Sequence, residues 1–193
     1  MIQAQRLEKR YGERRVLRGL DVELPRGGFL VVTGPNGSGK TTFLRLVAGL
    51  AVPTGGELHV DSERGRLGYL AHDPHVYREL TPLENLTLFG KLYRIPERGE
   101  RIGMLLERYG LWDVRHERAG TFSRGMLQRL ALCRTLLHEP ELLLLDEPFN
   151  ALDADGAALL ERELRELHPS TLVVATHDPA RLEPLTSARL AVA

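Results

Sequence analysis

One run of eight residues restricts this chain more than any other: Gly34-Pro35-Asn36-Gly37-Ser38-Gly39-Lys40-Thr41. It fits G-x-x-x-x-G-K-[ST] at every fixed position. The apolar run Phe29–Thr33 precedes it and reads as a central parallel strand buried on both faces. A helical pattern from Gly39 to Ala48 follows. Strand, glycine-rich loop and helix, in that order, are the context such a loop needs.

The residue types explain the chemistry. Glycines let the backbone curl so that successive N–H groups converge on one anion. The helix N-terminus adds the positive end of its dipole. Lys40 then reaches the β- and γ-phosphates of a nucleotide, and the Thr41 hydroxyl ligates Mg²⁺. Only Lys9, Lys40 and Lys91 are lysines, whereas arginines abound, so the lysine of this loop stands out in the composition as well.

A phosphate loop alone leaves kinases, GTPases and motor ATPases open. The run Leu142-Leu143-Leu144-Leu145-Asp146-Glu147 narrows the choice. An apolar strand ending in Asp is the arrangement in which the carboxylate, here Asp146, helps hold Mg²⁺. Strand side chains alternate, so Glu147 is expected on the opposite side of the backbone from Asp146. There it can polarise a water aimed at the γ-phosphate.

The rest of the chain alternates. Ile2–Leu7 and Val16–Leu24 read as strands joined by a turn around Gly12, and Glu57–Val60 and Leu67–Ala71 as further strands. In Thr81-Pro82-Leu83-Glu84, a Thr N-cap, a proline at the first helical position and a Glu at the third agree on a helix start. That helix is predicted to reach about Arg94, with others over Arg98–Arg108 and Ser123–Leu137. Residues 73–135 or so therefore read as a helical subdomain inserted in an α/β core. Strand character resumes at Glu141–Leu145 and Thr171–Thr176, separated by an amphipathic helix over Asp153–Leu167; a short helix follows His177-Asp178-Pro179.

Composition excludes some classes. Lysine plus arginine and aspartate plus glutamate both number 26 in 193 residues, so the net charge is zero and no bulk nucleic-acid binding is expected. The lone Cys133 cannot form an intramolecular disulfide and reads as a buried hydrophobe in a reducing compartment. Met1–Arg10 is mixed polar and unlike a signal peptide. No apolar run approaches the roughly 18 residues of a bilayer span, so the chain is not expected to cross a membrane by itself. His59, His75, His116, His138 and His168 lack metal-ligand spacing and read as surface or packing residues, and Trp112 as packed inside the helical subdomain.

With these segments in place, the chain resembles the ATP-binding-cassette (ABC) ATPases along nearly its whole length. Tyr11, in Arg10-Tyr11-Gly12, looks like the aromatic that stacks on adenine. Ser123-Arg124-Gly125-Met126-Leu127-Gln128-Arg129 looks like the family signature, Asn150-Ala151-Leu152-Asp153 matches the D-loop, and His177 the switch histidine that contacts the γ-phosphate. The resemblance implies an α/β P-loop NTPase, one ABC ATPase domain over residues 1–193: a mainly parallel sheet core, an N-terminal antiparallel β subdomain and the helical subdomain. It implies a nucleotide site of Tyr11, Val16, Asn36, Gly37, Ser38, Gly39, Lys40, Thr41 and Thr42, with Glu147 and His177 catalytic, and ATP with Mg²⁺ as ligands. The signature, Ser123, Arg124, Gly125 and Met126, would close over the ATP of a second copy, with Asp153 at the interface. The Ser123 hydroxyl and the Gly125 N–H at a helix start make a second anion site; taken alone, Ser123 is equally an ordinary helix cap. Implied partners are transmembrane permease subunits, and the implied location is the cytoplasmic face of the cell membrane.

Departures are informative. Phe122, Arg124 and Met126 stand where the family usually has Leu, Gly and Gln. His72 replaces a glutamine near Mg²⁺; it either hydrogen-bonds a metal-bound water or faces the membrane partner. The run Tyr69-Leu70-Ala71-His72-Asp73-Pro74, with Glu79–Leu86, is similar to the ATP-binding subunit of the heme exporter of cytochrome c biogenesis, which also ends soon after the switch histidine. Two other readings compete. Soluble ABC proteins of translation usually carry two cassettes, and those of DNA maintenance insert long coiled coils between phosphate loop and signature. A P-loop kinase leaves the signature, the D-loop and His177 without a role.

Overall fold

The computed structural model describes residues 1–167 and 170–192, and for Arg64 only the backbone. His168 lies outside the described residues. The chain forms two compact units. One comprises Met1–His72, Glu141–Pro148 and Arg165–Ala193; the other comprises Asp73–Pro140 and Phe149–Leu164.

The first unit carries two sheets. Strands β1 (Ile2–Tyr11) and β2 (Arg14–Leu24) form a hairpin, and β4 (Gly55–Val60) adds to β1, giving an antiparallel sheet of order β2-β1-β4. Ile2 and Ala4, and Leu7 beyond a register shift, are buried from it. The second sheet is parallel throughout, with order β5-β6-β7-β3-β8. Its strands are β3 (Phe29–Thr33), β5 (Leu67–Leu70), β6 (Leu142–Asp146), β7 (Thr171–Ala175) and β8 (Ala188–Ala191). The central strands β6 and β7 are buried at every position, as their unbroken apolar runs require. Helix α1 (Lys40–Val47) buries Phe43, Leu44, Leu46 and Val47 in the same core as Leu142, Leu144 and Val173.

In the second unit, α2 (Pro82–Leu92), α3 (Arg98–Arg108) and α4 (Arg124–Leu136) pack on one another. The reciprocal cap expected at α2 is present: the Thr81 hydroxyl accepts from the Glu84 N–H at 3.2 Å, and the Glu84 carboxylate accepts from the Thr81 N–H at 2.9 Å. Helix α5 (Ala154–Glu166) is tied to α3 by Arg108, which donates to the buried Glu163 carboxylate at 2.9 and 3.2 Å. Cys133 is buried beside the Leu105 carbonyl, and burial pushes its thiol pKa far up, as an inert packing residue requires.

The structure departs from the sequence reading at three places. Strand β1 runs on to Tyr11, four residues past the expected end at Leu7. Trp112 is not packed inside; it is 37% exposed and lies under the Arg115 guanidinium at 4.0 Å. Strand β8, Ala-Arg-Leu-Ala, carries no sequence signal: it is short, half-exposed and held by pairing with β3. Among the described residues no helix is long and apolar enough to cross a membrane.

Candidate nucleotide-binding site

Strand order assembles the site. In open parallel sheets, ligands bind beyond the carboxyl ends of the strands. Strand β7 lies between β3 and β6, so the segments leaving all three strands meet at one edge. The β3 exit is the phosphate loop, the β6 exit is Asp146-Glu147, and the β7 exit is Thr176-His177. Backbone hydrogen bonds lock them together: the Glu147 N–H donates to the Ala175 carbonyl at 2.9 Å and the Thr176 N–H to the Val32 carbonyl at 3.0 Å.

A cavity of about 620 Å³ opens there, lined by Tyr11, Val16, Asn36, Gly37, Gly39, Lys40, Thr41, Thr42, His72, Asp146 and Glu147. Of the nucleotide and metal residues expected from sequence, Ser38 alone is not on this wall. It lines a neighbouring cavity with Arg10, Arg15 and Arg18, and its Oγ is buried against Gly34. Gly39 caps α1 at φ +116°, and a Cβ there would sit 2.8 Å from Leu17 Cδ2 and 2.9 Å from Val16 Cγ1. Glycine is therefore required twice over, by backbone angle and by space. Tyr11 is half exposed, with Lys9 Nζ 5.0 Å from its ring centroid.

Lys40 is buried. Its Nζ donates to the Gly34 carbonyl at 2.8 Å and lies 3.4 Å from Glu147 Oε1. Asp146 ends β6 fully buried; its Oδ2 has no hydrogen-bond partner among the described residues. Burial raises its carboxyl above the usual range, opposed by the Thr41 hydroxyl and by nearby His72 and Lys40. An orphaned carboxylate oxygen beside a threonine hydroxyl is a donor set for a hard divalent cation. Among the described residues no group of three or more His, Cys, Asp or Glu could hold a metal. The pair formed by the Asp146 carboxylate and the Thr41 hydroxyl fits Mg²⁺.

Glu147 is placed by a different cause from the one expected. The strand has ended at Asp146, and Glu147 takes φ +51°, so a left-handed residue and not strand alternation turns its side chain. Its Oε2 lies 2.8 Å from His177 Nδ1 and accepts from the His177 N–H at 3.3 Å. A non-glycine residue in this conformation is strained, and such strain concentrates at functional positions.

The second unit holds the other group. Ser123 caps α4, its Oγ accepting from the Met126 N–H at 3.2 Å. Asp153 does the same for α5, accepting from the Gly156 N–H at 2.8 Å. Ser123, Arg124, Gly125 and Asp153 line a cavity of about 660 Å³ with Arg129, Asn150, Ala151 and Leu152; Met126 is half-buried beside it. A Cβ on Gly125 would lie 2.8 Å from the Ala151 carbonyl oxygen, so signature and D-loop are in close backbone approach. Sequence reasoning missed Arg14, which donates to the Gly37 carbonyl at 3.2 Å. Arg14 carries no local signal: it reaches the loop because it pairs with Tyr11 across the hairpin. Arg129, the last residue of the signature run, lines the second cavity.

The profile of the ABC transporter family matches residues 17–150. The chain belongs to the ABC transporter family. Its fold is that of the ABC ATPases. It aligns with TM-score 0.91 and 26% identity to an ATP-binding subunit of an ABC transporter, over all of this chain and 85% of that one. An ATP-binding cassette solved as a dimer in a post-hydrolysis state with ADP and Pi aligns with TM-score 0.82 and 29% identity, over 94% of this chain and 90% of that one. The uncharacterized ABC transporter ATP-binding protein YxlF of Bacillus subtilis is 38% identical over 184 residues, which is 92% of this chain. The chain spans 62% of that relative's length.

Proposed function

We propose that this ABC-family chain binds MgATP and hydrolyses it, as the nucleotide-binding subunit that powers transport through separate transmembrane subunits. The observation that carries this is the convergence of Lys40, Thr41, Asp146 and Glu147 on one cavity, with His177 on the Glu147 carboxylate. Tyr11 stacks on the adenine and Val16 packs the ribose side. The loop N–H groups from Asn36 to Thr42 and the Lys40 ammonium hold the phosphates. Thr41 and Asp146 would hold Mg²⁺, which neutralises phosphate charge when bound, with His72 beside them.

Glu147 orients the attacking water and takes its proton. His177 holds Glu147 from the far side, so the carboxylate keeps one orientation. Turnover occurs between two copies arranged head to tail. The signature of one copy, Ser123 to Met126, closes on the ATP of the other, and Asp153 lies at that interface. The solved relative with ADP and Pi is a dimer, which supports a dimer of this chain. The chain then sits on the cytoplasmic face of the cell membrane, held by its permease.

The finer reading is heme export for cytochrome c biogenesis. It rests on the sequence run Tyr69–Pro74 and Glu79–Leu86 alone. The test is affinity purification of Glu147→Gln protein from gently solubilised membranes of its own cell, with ATP, followed by mass spectrometry. Cytochrome c biogenesis membrane subunits are the expected partners. Other multi-span permeases would keep the transporter and discard heme; ribosomes or DNA-repair proteins would discard both.

A further inference from the structure

We infer that Arg14 is a positioning residue for ATP binding: from the hairpin that carries Tyr11, its guanidinium holds the phosphate loop in the curl that receives the phosphates. The inference rests on the nucleotide site proposed above and adds a residue to that same site. Arg14 opens β2 directly across the hairpin from Tyr11, and both line the nucleotide cavity. Its Nη2 donates to the Gly37 carbonyl at 3.2 Å. The neighbouring cavity sets Arg14 among three further arginines, Arg10, Arg15 and Arg18, with Glu13 as the one acid on that wall. No carboxylate of the described residues pairs with Arg14. Its guanidinium is committed to the loop backbone instead.

The bond falls where it controls the loop. Gly37 takes φ +79°, and the next N–H, that of Ser38, donates back to the Pro35 carbonyl at 3.2 Å. A peptide unit is planar, so its carbonyl and its N–H turn together. The Gly37–Ser38 unit is therefore gripped at both ends, by Arg14 from the hairpin and by Pro35 within the loop. A Cβ on Gly37 would lie 3.6 Å from the same guanidinium nitrogen, so the guanidinium packs against the residue it bonds. Lys40 fastens the start of the loop, donating to the Gly34 and Pro35 carbonyls at 2.8 and 3.4 Å; Arg14 fastens its middle. Glycines at positions 37 and 39 allow the curl, but glycine also has the most backbone freedom to lose when a ligand orders it. A brace that holds the curl before the nucleotide arrives lowers that ordering cost and tightens binding. Because the brace springs from the strand pair that presents Tyr11, one hairpin sets both the adenine face and the phosphate loop.

The test is binding of ATP and of inorganic tripolyphosphate, each with Mg²⁺, by displacement of a fluorescent ATP analogue from the full chain, Arg14→Met and Arg14→Lys, with steady-state ATP turnover alongside. Arg14→Met keeps most of the stem and loses the donors. It is expected to raise Kd for ATP and for tripolyphosphate alike, and KM for ATP, by about 3- to 10-fold, the range for one solvent-exposed hydrogen bond, with kcat changed less than twofold. Arg14→Lys retains a cationic donor and is expected to recover most of the lost affinity for both ligands. Arg14→Met affinities within twofold of the unaltered chain overturn the assignment. So does a loss confined to ATP, since Arg14 would then touch the adenosine and not hold the loop. A loss that Arg14→Lys shares in full overturns it as well, since the donor would not be what matters. In each of these cases ATP binding by the unaltered chain leaves the nucleotide site standing. An unaltered chain that binds neither ATP nor tripolyphosphate sinks that site and this assignment together.

Discussion

Replacing Gly125 by alanine puts a methyl group 2.8 Å from the Ala151 carbonyl oxygen, about 0.6 Å inside the 3.4 Å at which ordinary contacts begin. The atom it meets belongs to the backbone, so no side chain can swing away. Either the first turn of α4 or the Ala151 peptide must move. Overpacking of this kind costs about 1–3 kcal/mol. For a chain of this size that lowers Tm by about 2–12 °C. A misplacement of about 1 Å in a catalytic constellation costs on the order of 100-fold, so the 0.6 Å displacement should slow turnover about 10-fold. The assays are differential scanning calorimetry and steady-state phosphate release. Ala151 already sits at φ +66°, where glycine escapes the Cβ penalty. Adding Ala151→Gly to Gly125→Ala should therefore recover part of both losses by freeing that peptide to shift. A Gly125→Ala protein with Tm within 1 °C and kcat within twofold of the unaltered chain would refute the idea that signature and D-loop form one close-packed unit.

Other outcomes follow from the same structure. Arg108→Ala leaves the Glu163 carboxylate, whose side chain is 6% exposed, without its cation. Because Arg108 itself is 47% exposed, the loss is put at about 2–3 kcal/mol, below the range for a fully buried pair, and calorimetry should show Tm falling about 4–12 °C. Arg108→Leu with Glu163→Leu should restore most of it. Asp146→Asn should raise Tm by a few degrees at pH 7.5 without nucleotide or Mg²⁺ while abolishing turnover. Burial raises the Asp146 carboxyl above its ordinary 3.8, so the fold favours the protonated form. That contribution is full below pH 3.8 and lost as pH rises through the raised value, so the advantage of the asparagine should vanish in acid. His72→Ala should raise the Mg²⁺ concentration for half-maximal turnover about 10-fold, and His72→Gln should not. Superimposable Mg²⁺ curves would instead place His72 with the membrane partner.

What the sequence made legible was carried by short-range physics. The Thr81–Glu84 cap, the turn pattern of Arg98–Arg108 and the apolar runs at Phe29–Thr33 and Leu142–Leu145 each have a local cause, and these four elements lie within a residue or two of expectation, whereas β1 runs four residues past its expected end. The shared cavity of Lys40, Thr41 and Asp146 followed because a parallel sheet brings strand exits to one edge. What escaped was non-local. Glu147 owes its direction to a left-handed backbone outside the strand, pinned by the Ala175 carbonyl. Arg14 reaches the phosphate loop through hairpin register, and Phe149–Leu164 groups with the helical segment through tertiary packing. Trp112 looked like a core residue by type, yet it is 37% exposed, with an arginine guanidinium stacked over its ring.

The most direct test of the account is single-turnover ATP hydrolysis by Glu147→Gln protein, with size-exclusion chromatography in MgATP alongside. The account predicts that the variant binds ATP, runs as a dimer, and hydrolyses it about 100- to 10,000-fold more slowly than the unaltered chain, the range for loss of a general base. Hydrolysis near the unaltered rate would contradict the assignment of Glu147 and with it the mechanism.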